Sequence, residues 1–176
     1  IRDIGVTGVQ TCALPIYLSE INVIDTVFNG YWMNPAYRIP DNDCNCVAPG
    51  TAPTKTIPIN KFTVRSFITN LTNNSSVKFG QSNLARGIAF DSGSGIRKVF
   101  FSQNNGESWT EAKLGKDLGN YSFREWQVNF VPEKKGILDL RVSALTNSGE
   151  IQPMTAKWMP AGYMRNVVEL VKVKSA

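Results

Sequence analysis

The 176-residue sequence contains no histidine. Because histidine is the commonest general base and metal ligand in proteins, its absence excludes a Ser-His or Cys-His catalytic relay. It also excludes a zinc site of the usual cysteine and histidine composition. We therefore expect that any chemistry that involves this chain is completed by groups that lie elsewhere.

Long apolar runs and charged tracts are also missing from the sequence. No stretch approaches the roughly 18 consecutive apolar residues that a membrane-spanning helix requires, and no basic, apolar and small-residue succession marks a secretory signal. The 19 Lys and Arg residues and the 14 Asp and Glu residues form no run of five or more, so the net charge of +5 is not concentrated in a basic tract. The sequence thus predicts no membrane span and no nucleic-acid partner.

The length and the 42% hydrophobic content suffice for one complete core, or for one core and part of a second. Residues 6–16 read VTGVQTCALPI and resemble the conceptual translation of a short-read sequencing adapter. We interpret residues 1–16 as an assembly artefact and exclude them from fold reasoning. A genuine disordered N-terminus is the alternative interpretation.

The next part of the chain is irregular in its pattern. Residues 18–27 carry five apolar side chains that predict a short buried strand or turn-strand unit. Residues 30–59 follow as an extended connector, because prolines at positions 35, 40, 49, 53 and 58 exclude a helix or a central strand. We expect this connector to pack against another surface, since it carries the apolar residues Tyr31, Trp32, Met33, Tyr37 and Ile39.

Beyond residue 60 the sequence changes to short strands with turn signals about every ten residues, the pattern of an all-β sandwich. Phe62, Val64 and Ile68 begin this pattern. Further strands are predicted at residues 76–79, 83–90, 96–102, 109–113, 122–131, 136–145 and 166–173.

The apolar pattern within these strands predicts which faces are buried. Apolar and polar residues alternate at 126–130 and at 138–144, so each of these strands has one face in a core. We expect Trp109 and Trp126 to be core aromatics. Residues 96–101 carry bulky apolar groups on both faces, which predicts that another chain, another domain or the connector covers the outer side.

A succession of motifs then resembles one protein family. The sequence reads GYWMNPAYRIPDN at 30–42, TVRSFIT at 63–69, GIAFDSGSGIRKVFFSQNNGESWTEAKLG at 87–115, YSFREWQVNF at 121–130 and WMPAGYMRNVVE at 158–169. In this order and at these spacings the motifs resemble the C-terminal part of bacterial sulfite oxidases and sulfite dehydrogenases. The resemblance implies an immunoglobulin-like β-sandwich at residues 60–176, the dimerisation domain. Residues 17–59 are then the tail of the molybdenum cofactor domain and the connector.

The resemblance also implies an activity. In that family a molybdenum-molybdopterin cofactor, ligated by a Cys of an upstream domain that is absent here, oxidises sulfite to sulfate. It implies a periplasmic homodimer, formed through the sandwich, that passes electrons to a cytochrome c-like acceptor, whereas this fragment alone is inactive. The architecture by itself leaves open a non-enzymatic immunoglobulin-like protein-binding module. Such a module, however, has no need of the motif at 30–42.

Four residues are implied to form the substrate site. Tyr37 matches the family's pocket tyrosine, in a W-x(4)-Y arrangement with Trp32, and is the implied catalytic residue, because a phenol donates a hydrogen bond to an anion without adding charge. Arg165 is the candidate for the family's C-terminal arginine, whose planar guanidinium fits sulfite or sulfate. Arg38 adds to an anion-attracting field. The alternative is that Tyr37 packs in the connector and that both arginines are merely exposed.

Three further positions have open alternatives. In the animal members of the family, the C-terminal substrate-binding arginine directly precedes a glycine. Ala161 occupies that position here, so either Arg165 takes over the binding of the anion or this role is lost. Cys44 and Cys46 form a local or partner disulfide or remain two thiols, and without histidine they make a poor metal site. Arg124 is interpreted as a bridge within the sandwich or the dimer interface.

Overall fold

The computed structural model describes residues 19–176 of the chain. Residues 1–16, which we interpret as an artefact, lie outside the described residues, as does Leu18. Strands β1 to β11 are Arg38–Pro40, Thr56–Pro58, Arg65–Ile68, Ser76–Val77, Asn83–Phe90, Ile96–Ser102, Thr110–Glu111, Lys113–Leu114, Arg124–Phe130, Gly136–Thr146 and Leu170–Ser175. A short 3-10 turn at Pro160–Gly162 separates β10 from β11. Within residues 19–176 no helix has the length and apolar content that crossing a membrane demands.

The strands form two packed sheets and a separate ribbon. One sheet has five strands in the order β4-β11-β10-β6-β7, and the other has four in the order β3-β5-β9-β8. Strands β1 and β2 pair only with each other. Neighbouring strands are antiparallel except β4 and β11, which are parallel. This arrangement confirms the all-β sandwich that the sequence predicts.

The core lies between the two sheets because apolar side chains alternate with polar ones along the strands. In β9 every second residue is buried, and the largest of these is Trp126. The rings of Phe101 in β6 and Phe130 in β9 meet across the sandwich, with centroids 5.1 Å apart. Strand β10 adds a row of fully buried side chains to the same core, namely Leu138, Leu140, Val142 and Ala144.

Most strands lie where the sequence predicts them. Strands β5 and β6 have the predicted bounds, 83–90 and 96–102. The predicted strand at 109–113 is instead divided into two short edge strands, β7 in the five-stranded sheet and β8 in the four-stranded sheet. The chain therefore crosses from one sheet to the other at the buried residue Ala112.

Two burial predictions are wrong. Residues 19–27 form no strand and are exposed, because no neighbouring strand in the described part of the chain pairs with them. Trp109 is 36% exposed, since it lies with Phe100 and Met154 on the outer side of the five-stranded sheet and not between the sheets. Trp126, in contrast, is a core aromatic as predicted.

The outer side of β6 is partly covered by the chain itself. A groove of about 300 Å³ on this side is lined by Phe100, Trp109, Ile151 and Met154. The segment after β10 thus supplies part of the cover that the sequence assigns to another chain, another domain or the connector.

Candidate functional site

The connector is organised by the ribbon of β1 and β2. Its register pairs Arg38 with Pro58, Ile39 with Ile57 and Pro40 with Thr56. Of the apolar connector residues only Ile39 is buried, together with Pro40, whereas Tyr31, Trp32 and Tyr37 are exposed. The expected packing of the connector is therefore only partly met within the described chain. A loop at residues 41–55 joins the two strands and carries both described cysteines.

The guanidinium of Arg38 fastens the loop before it to the ribbon. Its Nε donates a hydrogen bond to Thr56 Oγ1 at 2.8 Å, and its Nη2 donates to the Thr56 carbonyl at 2.6 Å. Its Nη1 donates to the carbonyl of Met33 at 2.9 Å. All three acceptors are neutral, and among residues 19–176 no carboxylate forms an ion pair with Arg38. The side chain therefore orders residues 33–38.

Tyr37 occupies a special backbone conformation beside Arg38. Its φ of 49° lies in the left-handed region, which is uncommon for a bulky residue and is typical of constrained positions. The Tyr37 carbonyl accepts a hydrogen bond from the Ile59 amide at 3.1 Å, which closes the ribbon. The side chain is 47% exposed. Its ring centroid lies 5.7 Å from that of Trp32 and 5.4 Å from that of Tyr163.

Tyr163 belongs to a segment near the C-terminus, residues 157–165, that returns to the connector. The carbonyl of Trp158 accepts a hydrogen bond from the Val47 amide at 3.0 Å. The hydroxyl of Thr63 donates to the Met164 carbonyl at 3.3 Å. Left-handed φ values at Ala161, Gly162 and Met164 turn the backbone tightly between these contacts. This segment is therefore held against both the connector and the start of the sandwich.

Arg165 follows Tyr163 by two residues and is exposed. In the part of the chain that the structure describes it forms no ion pair, whereas nearby Arg65 is paired with Glu169. Arg165 borders a groove together with Thr63 and Met164. Its guanidinium is thus available to an anion from solution.

Ala161, which stands at the position of the family's animal-branch arginine, is exposed within the same turn. It offers no side-chain donor. Any cationic role of this segment therefore falls on Arg165 or on Lys157.

The described cysteines form a local disulfide between Cys44 and Cys46, so the alternative of two free thiols does not apply in this structure. The side chain of Asn42 orders this loop, because its Oδ1 accepts from the Cys46 amide at 3.2 Å and its Nδ2 donates to the Cys46 carbonyl at 2.9 Å. Both cysteines are half-buried.

The described residues do not fit a molybdenum site. A cysteine that ligates molybdenum does so as a thiolate, and the sulfurs of Cys44 and Cys46 are bonded to each other. Within residues 19–176 no group of three or more His, Cys, Asp or Glu side chains is arranged to hold a metal ion. The described part of the chain therefore offers no free cysteine thiolate as a molybdenum ligand.

The structure brings some of the predicted site residues together and adds one. The rings of Trp32 and Tyr37 are in contact with their planes inclined by 44°, and Arg165 lies two residues from Tyr163, whose ring contacts Tyr37. Arg38 is adjacent in sequence, but its guanidinium points toward backbone carbonyls and Thr56. The sequence analysis missed Tyr163. The signal that could have identified it is its place in the GYMR motif, directly before the candidate arginine.

Arg124 pairs with Asp117, with Nη1 and Oδ2 2.6 Å apart. Its side chain is largely buried and Asp117 is exposed. Arg124 thus bridges the start of β9 and the loop after β8, which agrees with a role within the sandwich.

Comparisons with known proteins add a family and a fold. The family model described as the Mo-co oxidoreductase dimerisation domain matches residues 56–176. Among solved structures, the sulfane dehydrogenase SoxCD from Paracoccus pantotrophus aligns with a TM-score of 0.65 and 16% sequence identity. The alignment covers 85% of this chain and 38% of that chain, so this chain spans well under half of the structure it matches. At this identity the likeness concerns the fold alone.

A second solved structure, of an engineered protein, aligns with a TM-score of 0.39 and 12% identity over 70% of this chain and 22% of that chain. This similarity is too low to support an argument. No curated protein sequence matches the chain.

Proposed function

Because the chain belongs to the Mo-co oxidoreductase dimerisation domain family, we propose that it is the C-terminal part of a molybdenum-dependent enzyme that oxidises sulfite. The overall reaction converts sulfite and water into sulfate, two protons and two electrons. A molybdenum-molybdopterin cofactor supplies the redox chemistry when bound. The described residues offer no free cysteine thiolate for it, so we place the cofactor in another part of the complete protein.

The observation that carries this proposal is the contact between Tyr37 and Tyr163. It joins the connector motif at 30–42 to the C-terminal motif at 158–169, two of the motifs whose succession resembles the sulfite-oxidising family. Arg165 lies two residues beyond Tyr163 in the same segment. A free-standing binding module would not need to fasten a proline-rich connector to its last turn.

Each site residue then has a distinct role. The phenol of Tyr37 donates a hydrogen bond to a sulfite oxygen, and Trp32 forms the wall on which the Tyr37 ring rests. Arg165 attracts and orients the dianion with its guanidinium. Arg38 adds positive potential and holds the backbone from which Tyr37 projects.

The proposal extends to partners and location. The family description supports a dimer formed through the sandwich. We assign residues 60–176 to that sandwich and residues 17–59 to the tail of the cofactor domain and the connector. We assign the electrons to a cytochrome c-like acceptor and the protein to the periplasm. The Cys44–Cys46 disulfide is compatible with that oxidising compartment.

The genomic sequence upstream of Tyr17 defines the complete protein. The test compares that complete protein with the 176-residue chain. We expect the complete protein to contain molybdenum by elemental analysis and to reduce cytochrome c when sulfite is added. The 176-residue chain should do neither. Since SoxCD is a sulfane dehydrogenase, a sulfane sulfur donor is assayed beside sulfite. A complete protein without molybdenum would refute the proposal, and activity on the sulfane donor alone would refute its substrate.

A further inference from the structure

The disulfide between Cys44 and Cys46 joins two residues that are separated by a single position. A disulfide stabilises a fold mainly because it restricts the unfolded chain, and this contribution grows with the length of the loop that the bond closes. A pair with a sequence separation of 2 closes an extremely short loop, so it contributes little to stability. Stabilisation of the fold therefore gives little reason for this bond.

The cysteine pair lies where a reagent from solution can reach it. Both cysteines are half-buried, in the loop at residues 41–55 that joins β1 and β2. Their neighbours Asp43 and Ala48 are exposed. Accessible disulfides are the ones that exchange with thiols, whereas structural disulfides resist reduction. The position of the pair thus suits exchange with a thiol from outside the chain.

Side-chain amides hold the loop by hydrogen bonds that do not depend on the disulfide. The Oδ1 atom of Asn42 accepts from the Cys46 amide at 3.2 Å, and its Nδ2 donates to the Cys46 carbonyl at 2.9 Å. Asn45, between the two cysteines, has a left-handed φ of 48° and donates from Nδ2 to the Pro40 carbonyl at 2.9 Å. These bonds keep the two cysteines side by side when the S–S bond is broken.

The side chain of Asn42 is also placed to accept the proton of a reduced Cys44. The Cys44 Sγ atom lies 3.4 Å from Asn42 Oδ1. In the disulfide this sulfur carries no proton, but as a thiol it is a weak donor. An amide oxygen has two lone pairs, so Oδ1 can accept from the Cys46 amide and from the Cys44 thiol together. The loop therefore offers hydrogen bonds to the dithiol form as well as to the disulfide form.

The residue after the pair connects the loop to the segment at residues 157–165. The amide of Val47 donates to the Trp158 carbonyl at 3.0 Å. Within residues 19–176 this is the one backbone hydrogen bond between the loop and that segment. A change of the backbone at Cys46 is therefore transmitted directly to the segment that carries Tyr163.

We propose that Cys44 and Cys46 form a thiol–disulfide exchange site that is reduced by a dithiol, and that reduction weakens the hold of the loop on residues 157–165. One thiolate of the dithiol attacks a sulfur of the pair, and the S–S bond breaks to give a mixed disulfide and one cysteine thiolate. The second thiol of the reductant then displaces the other cysteine. The reductant loses two electrons and two protons and becomes a disulfide, while Cys44 and Cys46 become thiols. This proposal does not depend on which substrate the complete enzyme oxidises.

The arrangement of the loop favours a dithiol over a monothiol as the reductant. In the mixed disulfide with a monothiol, the released cysteine lies beside the other cysteine and expels the monothiol again, since a reaction between groups held together is fast. A dithiol competes with this reversal because its own second thiol is also held at the mixed disulfide. A monothiol has no such second group.

The experiment uses the 176-residue chain with Cys12→Ser, which leaves Cys44 and Cys46 as the two cysteines of the chain. Reduction by dithiothreitol is followed by alkylation of the thiols and mass spectrometry. The rate in the folded chain should lie within about tenfold of the rate in the same chain unfolded in urea, as for an accessible disulfide. Glutathione at the same thiol concentration should reduce the pair at least about tenfold more slowly. A folded-chain rate about a hundredfold or more below that of the unfolded chain would overturn the exchange site. Equal rates with both reagents would overturn the assignment to a dithiol.

Hydrogen exchange tests the link to the C-terminal segment. Reduction should speed the exchange of the amides at residues 157–165 by about fivefold or more, as expected for the loss of one hydrogen bond. The amides of β10, in the centre of its sheet, are the internal control and should not change. The variant Cys44→Ser/Cys46→Ser, which cannot form the bond, should show the faster exchange with and without dithiothreitol. Exchange at residues 157–165 that is the same in the oxidised chain, the reduced chain and this variant would overturn the link.

Discussion

The ring of Tyr37 packs against the ring of Tyr163 with centroids 5.4 Å apart and planes inclined by 35°. The two residues lie in the connector and in the last turn before β11, and both segments are further joined by the bond from the Val47 amide to the Trp158 carbonyl. Residues from the two ends of the described chain thus share one surface. The predictions about the site depend on that relationship.

In the complete enzyme, Tyr37→Phe should lower the rate or affinity for sulfite by roughly ten- to a hundredfold and leave the melting temperature unchanged. The substitution removes one hydrogen-bond donor and almost no volume, and a hydrogen bond to a charged partner contributes roughly 1.5–3 kcal/mol. Steady-state kinetics with sulfite measure the effect. Thr155→Val, which also removes one exposed hydroxyl, is the control and should have no effect. Unchanged kinetics in Tyr37→Phe would show that Tyr37 only packs in the connector.

Arg165→Ala should raise the apparent KM for sulfite more than it lowers kcat, because its main role is to attract the anion before the reaction. The effect should weaken as ionic strength rises, since a solvent-exposed charge is screened by salt. Arg86→Ala removes an exposed arginine on the four-stranded sheet and serves as the control. If Arg165 only supports the turn, the variant would melt slightly earlier and its kinetics would match those of the unaltered enzyme.

Several features of the fold could be predicted because they depend on local pattern. The strands β5 and β6 lie at their predicted bounds, and Trp126 is buried, since alternation of apolar and polar residues determines both. The prediction that Trp109 is a core aromatic is wrong because this residue flanks an edge strand, where an aromatic side chain can pack on the outer surface of the sheet. Hydrophobicity alone does not distinguish that surface from the core.

The site was harder to predict because it depends on contacts between distant parts of the chain. Nothing in the motif at residues 30–42 indicates that its partner is Tyr163. In the C-terminal segment, the family resemblance implies a site role for Arg165 alone. The direction of the Arg38 guanidinium follows from the pairing of β1 with β2, which places Thr56 within its reach. Two three-residue strands that contain prolines give too weak a pattern to reveal that pairing.

Leu140→Ala should lower the free energy of unfolding by about 2–5 kcal/mol, because it removes a fully buried side chain and leaves a cavity between the sheets. Ile137→Ala, in the same strand but half-exposed, is the matched control and should cost much less. Urea unfolding of the 176-residue chain compares the two. Similar losses for both variants would contradict the assignment of Leu140 to the core.

Hydrogen exchange should divide the chain into a protected sandwich and a less protected connector. Amides at 128–144 lie in or between the paired central strands β9 and β10, and those within the strands should exchange slowly. Amides at 41–55 lie in the loop of the ribbon and should exchange much faster. Equal protection in both regions would mean that the connector has a core of its own.

Arg38→Lys should loosen the loop before Tyr37 even though it keeps the positive charge. The guanidinium makes three hydrogen bonds to two residues, and a lysine ammonium cannot reproduce that planar arrangement. We expect faster exchange of the amides at residues 33–38 and a changed tryptophan emission, since the ring of Trp32 contacts that of Tyr37. Lys55→Gln, which alters an exposed cation in the loop directly before β2, is the control and should change neither. If Arg38→Lys preserved the exchange rates while sulfite affinity in the complete enzyme fell, Arg38 would act on the substrate directly and would not serve to position Tyr37.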